Sequence, residues 1–166
     1  MTKLQEILQK VEKGTEVKVG FFEGSAYPDG TPVPMVAAIQ NYGAPAVGIP
    51  PRPFFSNMIK EKGPTWGDAL AVIAKRNDYD MAKSMAEMGE LIGGQLGQSI
   101  IDTNSPPLAK ETILARAGGS KRGRVKSPTI GKPLIDTGTM INSIGYQVDD
   151  GEERKVRQSA ATKRLK

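Results

Sequence analysis

The sequence predicts an α+β fold in which a small antiparallel sheet packs against several helices, with extended loops and a basic C-terminal tail. Two patterns carry this prediction. Residues 16–22 alternate polar and apolar side chains before becoming apolar, as a half-buried strand does. Other segments, above all residues 81–102, repeat apolar side chains at helical spacing. No repeat of fixed period is present, which argues against a solenoid.

The length of 166 residues fits one hydrophobic core better than two. We expect a single domain over residues 1–150, with a basic loop at 118–132, followed by a basic C-terminal tail at 151–166. Aromatic residues make up only 5% of the chain, and glycine and proline number 19 and 12. This composition predicts a modest core and substantial loops.

The first third of the chain predicts two short helices around the strand. Thr2 can cap an amphipathic helix over residues 3–13. Residues 24–34, which contain three prolines and two glycines, form a loop. A short buried helix follows at 35–42, because Pro34 suits a first helical turn and Gly43 can close the helix.

Two longer helices are predicted next. A helical pattern over residues 54–76 is interrupted at Gly63–Pro64, where we expect a kink or break because proline removes a backbone hydrogen bond. The longest helix then starts after Asp78 or Asp80 as its N-cap and ends at Asp102. Its apolar stripe consists of Met81, Met85, Met88, Ile92, Leu96 and Ile100.

Three glycines lie four residues apart on that longest helix. Gly89, Gly93 and Gly97 form a ridge without side chains, and each costs about 1 kcal/mol of helix stability relative to alanine. A close neighbour must offset this cost. We expect the ridge to pack within the protomer rather than against another subunit.

The remaining elements are short. Residues 108–117 predict a helix that ends at two glycines. Leu134–Ile135 should be buried, and Asp136 or Thr137 should cap a short helix before a strand at 145–148. The polar tail beyond is expected to fray unless it is bound.

Positive charge is concentrated in two appendages. The net charge is +5, yet residues 118–132 hold five basic and no acidic side chains, and residues 151–166 hold six basic and two acidic ones. The rest of the chain therefore carries a net charge of −4. We read the chain as a mildly acidic body with two basic segments.

Several classes of function lack their usual residues. The chain has no cysteine and no histidine, which removes disulfides, cysteine-based zinc sites and the commonest proton-transfer side chain. We expect no enzyme activity, no catalytic residues, no metal and no cofactor. No segment has the roughly 20 apolar residues of a membrane span, and residues 1–6 lack the apolar run of a secretory signal, so we expect a soluble, unexported protein.

One motif resembles a catalytic signature. Residues 134–138 read Leu-Ile-Asp-Thr-Gly, as in aspartic proteases, whose chemistry needs two carboxylates and hence a dimer of this chain. The helical spacing that follows favours Asp136 as a helix cap instead. Acidic residues at 78–80 and 149–152 are similarly better read as capping or solvated groups than as metal ligands.

The basic loop suggests a second kind of partner. Lys121, Arg122, Arg124 and Lys126 could neutralise phosphates of DNA or dock on an acidic protein. No aromatic side chain is interleaved among them, so stacking on bases and reading of sequence are not expected. Contact with DNA and contact with protein remain open alternatives.

Four segments, taken in order, resemble one protein family. They are Ile39-Gln40-Asn41-Tyr42-Gly43, Ile49-Pro50-Pro51-Arg52-Pro53-Phe54-Phe55, Pro107-Leu108-Ala109-Lys110-Glu111-Thr112-Ile113, and Pro133-Leu134-Ile135-Asp136-Thr137-Gly138-Thr139-Met140-Ile141-Asn142-Ser143-Ile144. Together they are similar to the head-tail joining and tail-completion proteins of long-tailed bacteriophages, which include minor tail protein Z. The resemblance spans roughly residues 17–148, and the order of the segments is more specific than any one of them.

The resemblance implies a non-enzymatic virion protein. It would form a ring, for which we guess a hexamer, at the phage neck or tail end around the DNA channel, after assembly in the host cytoplasm. Expected partners are other copies of itself, neighbouring neck, connector or tail-terminator proteins, and channel DNA without sequence specificity, but no membrane. Sequence-independent DNA binding and, less favoured, a dimeric aspartic protease are the alternatives.

The second segment is the predicted contact with a neighbouring subunit. Proline rings stiffen it, and two phenylalanines follow, which suits an arm that reaches a neighbour. Phe54 and Phe55 could equally seed the core of the protomer. The predicted interface residues are Ile49, Pro50, Pro51, Arg52, Pro53, Phe54 and Phe55.

Overall fold

The structure, a computed structural model, describes residues 2–12, 15–118, 131–135, 138–148 and 153–156. Within these residues the chain folds into helices and one antiparallel sheet, which confirms the predicted α+β class. The elements in chain order are α1 (Lys3–Glu12), β1 (Val17–Phe21), α2 (Val33–Tyr42), a 3-10 turn (Pro45–Val47), α3 (Phe54–Arg76), α4 (Met81–Asp102), α5 (Lys110–Gly118), α6 (Thr139–Asn142), β2 (Ile144–Val148) and β3 (Glu153–Lys155).

The sheet has the strand order β1-β2-β3, and both pairings are antiparallel. Val19 of β1 faces Tyr146 of β2, which in turn faces Arg154 of β3. The strands β1 and β2 pack against α4. The central strand β2 is the most buried of the three, because the sheet partners cover its edges and α4 covers one face.

The core lies between α2, α3, α4 and the sheet. Phe54 from α3 is 1% exposed and Leu96 from α4 is fully buried. Leu134 and Ile135 are buried, as predicted from the sequence. The buried core residues are Val33, Ala37, Phe54, Met58, Leu96, Ile100, Leu134, Ile135, Met140, Ile141 and Ile144.

The helices α3 and α4 form an antiparallel hairpin, and side-chain hydrogen bonds and an ion pair connect them. The Ser99 hydroxyl donates to the Phe54 carbonyl (2.7 Å), and the Trp66 indole donates to Gln95 Oε1 (2.8 Å). At the turn, Arg76 forms an ion pair with Glu87. The side-chain hydrogen bond from Asn77, followed by that from Arg76, lowers the pKa of Glu87 below its ordinary value.

Of the kink or break predicted at Gly63–Pro64, the break is wrong, since α3 runs through Pro64 as one helix of 23 residues. Proline leaves one carbonyl of the preceding turn without its helical donor. The hydrogen bonds of the Phe54 carbonyl and the Trp66 indole to α4 lie on either side of Pro64 and tie both parts of α3 to the same neighbouring helix. As a result α3, rather than α4 with its 22 residues, is the longer helix.

Two of the predicted N-cap residues, Thr2 and Asp80, cap observed helices. Thr2 forms the predicted cap: its N–H donates to Gln5 Oε1 (2.8 Å), and its hydroxyl accepts from the Gln5 N–H (3.4 Å). Asp80 caps α4 by accepting from the Lys83 N–H (3.1 Å). Asp136 and Thr137 lie outside the described residues, and α6 has Gly138 at its N-cap position.

The last strand corrects the prediction of a frayed tail. Residues 153–155 pair with β2, and Val156 packs against the core cluster. Residues 153–156, which the sequence analysis assigned to the tail, therefore belong to the folded domain. Residues 157–166 lie outside the described residues.

The glycine ridge of α4 packs inside the protomer, as expected from the sequence. A Cβ on Gly89 would lie 2.5 Å from Tyr146 Cδ2, and one on Gly93 would lie 2.3 Å from Val156 Cγ2. Gly97 has ordinary van der Waals space, with Ile144 Cδ1 at 3.6 Å. The first two glycines therefore let α4 approach the sheet too closely for any side chain.

No helix among the described residues is long and apolar enough to cross a membrane.

Substitution of Gly89 tests this close approach. Gly89→Ala should lower the free energy of unfolding by about 1–3 kcal/mol, since the clash with Tyr146 outweighs a helix-propensity gain of about 1 kcal/mol. Gly94→Ala is the matched control, because a Cβ there meets nothing within 4 Å and should raise stability. Urea unfolding of both variants measures the difference. A Gly89→Ala protein as stable as Gly94→Ala would contradict the packing described.

Candidate functional site

The chain reverses direction sharply after α2. Gly43 ends the helix with a φ of +78°, and its N–H donates to the Ile39 carbonyl (2.7 Å). A Cβ on Gly43 would lie 2.9 Å from Pro51 N and 3.0 Å from the Ile49 carbonyl oxygen. Both the positive φ and the close approach require glycine here. The proline-rich segment therefore folds back against the end of α2.

A small loop closes on itself within this reversal. Ala44 and Ile49 exchange two backbone hydrogen bonds, of 2.9 and 3.1 Å, across the 3-10 turn at Pro45–Val47. The turn carries Val47 with 71% of its surface exposed. An apolar side chain is thus presented to solvent on a hydrogen-bonded loop.

Arg52 anchors the proline-rich segment from inside the fold. It is only 5% exposed. Its guanidinium donates to Gln40 Oε1 (3.0 Å) and to the carbonyls of Pro106 (2.9 Å) and Pro107 (3.4 Å). Its backbone N–H donates to the Gln40 carbonyl (2.7 Å). One buried side chain therefore ties the segment to α2 and to the chain that follows α4.

Asn41 caps α3 from a different helix. Pro53, at the N-cap position of α3, provides no side-chain hydrogen bond. The buried Asn41 Oδ1 instead accepts from the N–H groups of Phe55 (3.0 Å) and Ser56 (3.1 Å), and Nδ2 donates to the Ser56 hydroxyl (2.8 Å). Two backbone donors that the first turn of a helix leaves unpaired are satisfied in this way. The end of α2 and the start of α3 are held in one arrangement.

These anchors support an exposed surface that carries no charge. No Asp, Glu, Lys or Arg occurs between positions 31 and 51. Tyr42 is 75% exposed and Met35 is 49% exposed, and their spacing puts both on one face of α2 with the exposed Ala38. We use the name uncharged surface for six of the exposed residues in this stretch: Met35, Ala38, Tyr42, Val47, Pro50 and Pro51.

An apolar groove adjoins the uncharged surface. It lies between β1 and α2, has a volume of about 320 Å³, and we call it the β1–α2 groove. Ala38 and Tyr42 line both the groove and the uncharged surface, so the two are continuous. Other lining residues include Gly20, Phe22, Ala37 and Phe55.

The predicted interface residues, 49–55, are partly buried and partly accessible in the structure. Phe54 and Arg52 are buried within the chain, so their prediction as contacts for a neighbour is corrected: both serve the protomer itself. Ile49, Pro53 and Phe55 are half-buried, whereas Pro50 and Pro51 are exposed. A contact role for the accessible residues remains a prediction.

The segments that carry the family resemblance come together in space. Arg52 of the second segment bonds to Gln40 of the first and to Pro107 of the third. Gln40 also lines a cleft of about 250 Å³ with Pro133 and Met140 of the fourth. Residues far apart in the sequence therefore meet around Gln40 and Arg52.

The basic loop residues Lys121, Arg122, Arg124 and Lys126 lie outside the described residues. Lys132, at the end of the same basic segment, is half-buried, and its ammonium donates to the Ile101 carbonyl near the end of α4 (2.8 Å). A cation is favourable there because the last carbonyls of a helix carry partial negative charge. This lysine of the basic segment therefore has a structural role.

The acidic residues considered as catalytic groups or metal ligands are mostly outside the described part of the chain or have a structural role. Asp136, in the protease-like motif, and the acidic residues at 149–152 lie outside the described residues. Asp80 is a helix cap. The described residues contain no cluster of three or more acidic side chains placed to hold a metal ion.

Tyr42 and Val47 were not singled out as contact residues from the sequence. Tyr42 lies in the helix at 35–42 that the sequence predicts to be buried, yet it is the most exposed large apolar side chain among the described residues. The signal that could have identified them is the absence of charge over positions 31–51 in a chain with 25% charged residues. Interface cores are depleted in charge in the same way.

The chain has no significant match among protein-family models, curated proteins or solved structures. The resemblance to phage neck and tail-completion proteins therefore depends on the four sequence segments alone. The interpretation of the uncharged surface as a contact surface depends on its exposed apolar side chains and its lack of charge.

Removal of the Asn41 side chain tests the cap. Asn41→Ala should lower the free energy of unfolding by about 1–3 kcal/mol, because it leaves the Phe55 and Ser56 N–H groups without their acceptor. Ser56→Ala is the control, since it removes the hydroxyl but keeps both backbone bonds to Asn41. Thermal unfolding followed by circular dichroism compares the two. Equal losses in both variants would show that Asn41 does not act as the cap.

Proposed function

We propose that this protein is a non-enzymatic structural subunit of a tailed-bacteriophage virion, which completes the tail or joins head and tail at the neck as part of a ring. It acts by binding other copies of itself and the neighbouring neck or tail proteins. The observation that carries the assembly role is the uncharged surface on α2 and the loop after it.

The composition of that surface is typical of a protein interface. Interface cores are enriched in tyrosine and methionine and depleted in charge. Tyr42 and Met35 expose large apolar side chains on one face of α2, and Val47 exposes another on the loop that follows the helix. Exposed apolar side chains that cluster in this way are typical of interaction surfaces, whereas single scattered ones are not. Because Asn41 and Arg52 hold the surrounding backbone, little conformational entropy is lost on binding.

The family resemblance supports the virion setting. Tyr42, Pro50 and Pro51 of the surface lie on the first two of the four segments that are similar to tail-completion proteins. Pro107 of the third segment bonds to Arg52, and Pro133 and Met140 of the fourth line a cleft with Gln40. In a subunit that acts by assembly, the packing of these segments would support a contact surface and not a catalytic site.

In such a ring each subunit would contact two neighbours through different surfaces, since a head-to-tail interface closes when its rotation divides a full turn. The basic loop residues Lys121, Arg122, Arg124 and Lys126 would then contact channel DNA or an acidic neighbouring ring. Sequence-independent DNA binding remains the alternative function, and the basic loop is the sequence feature that favours it.

A charge placed on the uncharged surface tests the assembly role. Val47→Glu should raise the dissociation constant between subunits by about tenfold to a hundredfold, because a buried interface position would then hold an unpaired carboxylate. Val72→Glu is the matched control: Val72 is an equally accessible valine, 66% exposed, on the outer part of α3. Light scattering coupled to size-exclusion chromatography measures the assembly over a concentration series.

A wild-type chain that stays monomeric over the whole series, and does not enter phage particles, would overturn the proposed function. Equal weakening by Val47→Glu and Val72→Glu would instead remove the uncharged surface from the proposal.

A further inference from the structure

The helix α1 has an apolar stripe that the protomer does not cover. Leu4, Leu8 and Val11 are 65%, 50% and 45% exposed. A helix of ten residues is too short to be stable by itself, because isolated helices below about 12–15 residues are marginal in water. A long-range bond that holds α1 to the body runs from the Lys10 ammonium to the Asp78 carbonyl (3.0 Å). Its stripe therefore needs a packing partner.

The β1–α2 groove is an apolar site of matching character. It is lined by β1 and α2, and α2 carries no charged residue. Lys18 is the charged residue in its lining, and it forms an ion pair with Glu16. Apolar helix side chains could enter such a groove without burying an unpaired charge.

The stripe and the groove lie at opposite ends of α3. The groove includes Phe54 and Phe55, the first residues of α3, whereas Lys10 of α1 bonds to Asp78, just beyond its last residue. Twenty-three helical residues span about 34 Å. The helix α1 spans only about 15 Å. In the protomer α1 is bonded at Asp78, no α1 residue lines the groove and the stripe is exposed, so the stripe does not occupy the groove of its own chain.

We propose that the α1 stripe of one copy docks in the β1–α2 groove of the next copy. This inference rests on the proposed function, because it names the contact through which the ring subunits join. Every copy offers one stripe and one groove, so the two occur in equal numbers. The contact is head-to-tail and repeats in one direction, which is the interface type that builds rings.

The absence of cysteine from the chain permits a direct test in the full-length protein. One preparation carries Ala38→Cys in the groove, and a second carries Leu4→Cys, Leu8→Cys or Val11→Cys on the stripe. The two are mixed and oxidised, so a disulfide between different variants joins two chains. Gln9→Cys, on the polar face of the same helix, is the matched control.

We expect at least one stripe cysteine to crosslink to the groove about tenfold faster than Gln9→Cys, because docking raises the effective concentration of the two thiols. Equal rates for stripe and control, in a wild-type protein that light scattering shows to be oligomeric, would overturn the docking and leave the proposed function intact. Crosslinking between the stripe cysteines of two copies would indicate a two-fold contact between α1 helices, and it would also overturn the docking in the groove. A protein that is monomeric throughout would overturn both.

Discussion

Two buried polar side chains determine the shape of the surface on which the account depends. Asn41 caps the start of α3 from the end of α2, and Arg52 ties the proline-rich segment to Gln40 and to the carbonyls of Pro106 and Pro107. A buried polar group that loses its partner costs about 1–3 kcal/mol, so each set of bonds favours one backbone arrangement strongly. The backbone that carries the exposed Tyr42 and Val47 is held in place by this arrangement.

The size of the uncharged surface indicates how strong one contact can be. Full burial of a side chain such as Val47 or Met35 contributes about 1.5–3 kcal/mol. Association costs on the order of 4–15 kcal/mol in lost freedom of motion, so a few such side chains give weak binding between two chains. A ring lessens this difficulty because each subunit is held by two neighbours, and release requires both contacts to open. Weak individual contacts are therefore compatible with a stable assembly.

The sequence predicted the fold class and most elements because their patterns are local. The spacing of apolar residues in α4, the Asp80 cap and the alternation in β1 each depend on neighbours within a few positions. The break at Pro64 was predicted wrongly because contacts of Phe54 and Trp66 with α4 decide the outcome. Strand β3 was missed for the same reason, since a short polar segment gains its structure from pairing with β2.

Hydrogen–deuterium exchange, compared between dilute and concentrated protein, tests the claim that this chain assembles with itself through the uncharged surface. If the uncharged surface forms the contact between copies, a higher concentration slows exchange in residues 31–51 and leaves exchange around Val72 on α3 unchanged. Exchange that is independent of concentration in residues 31–51, in a protein that nevertheless forms oligomers, would contradict the account.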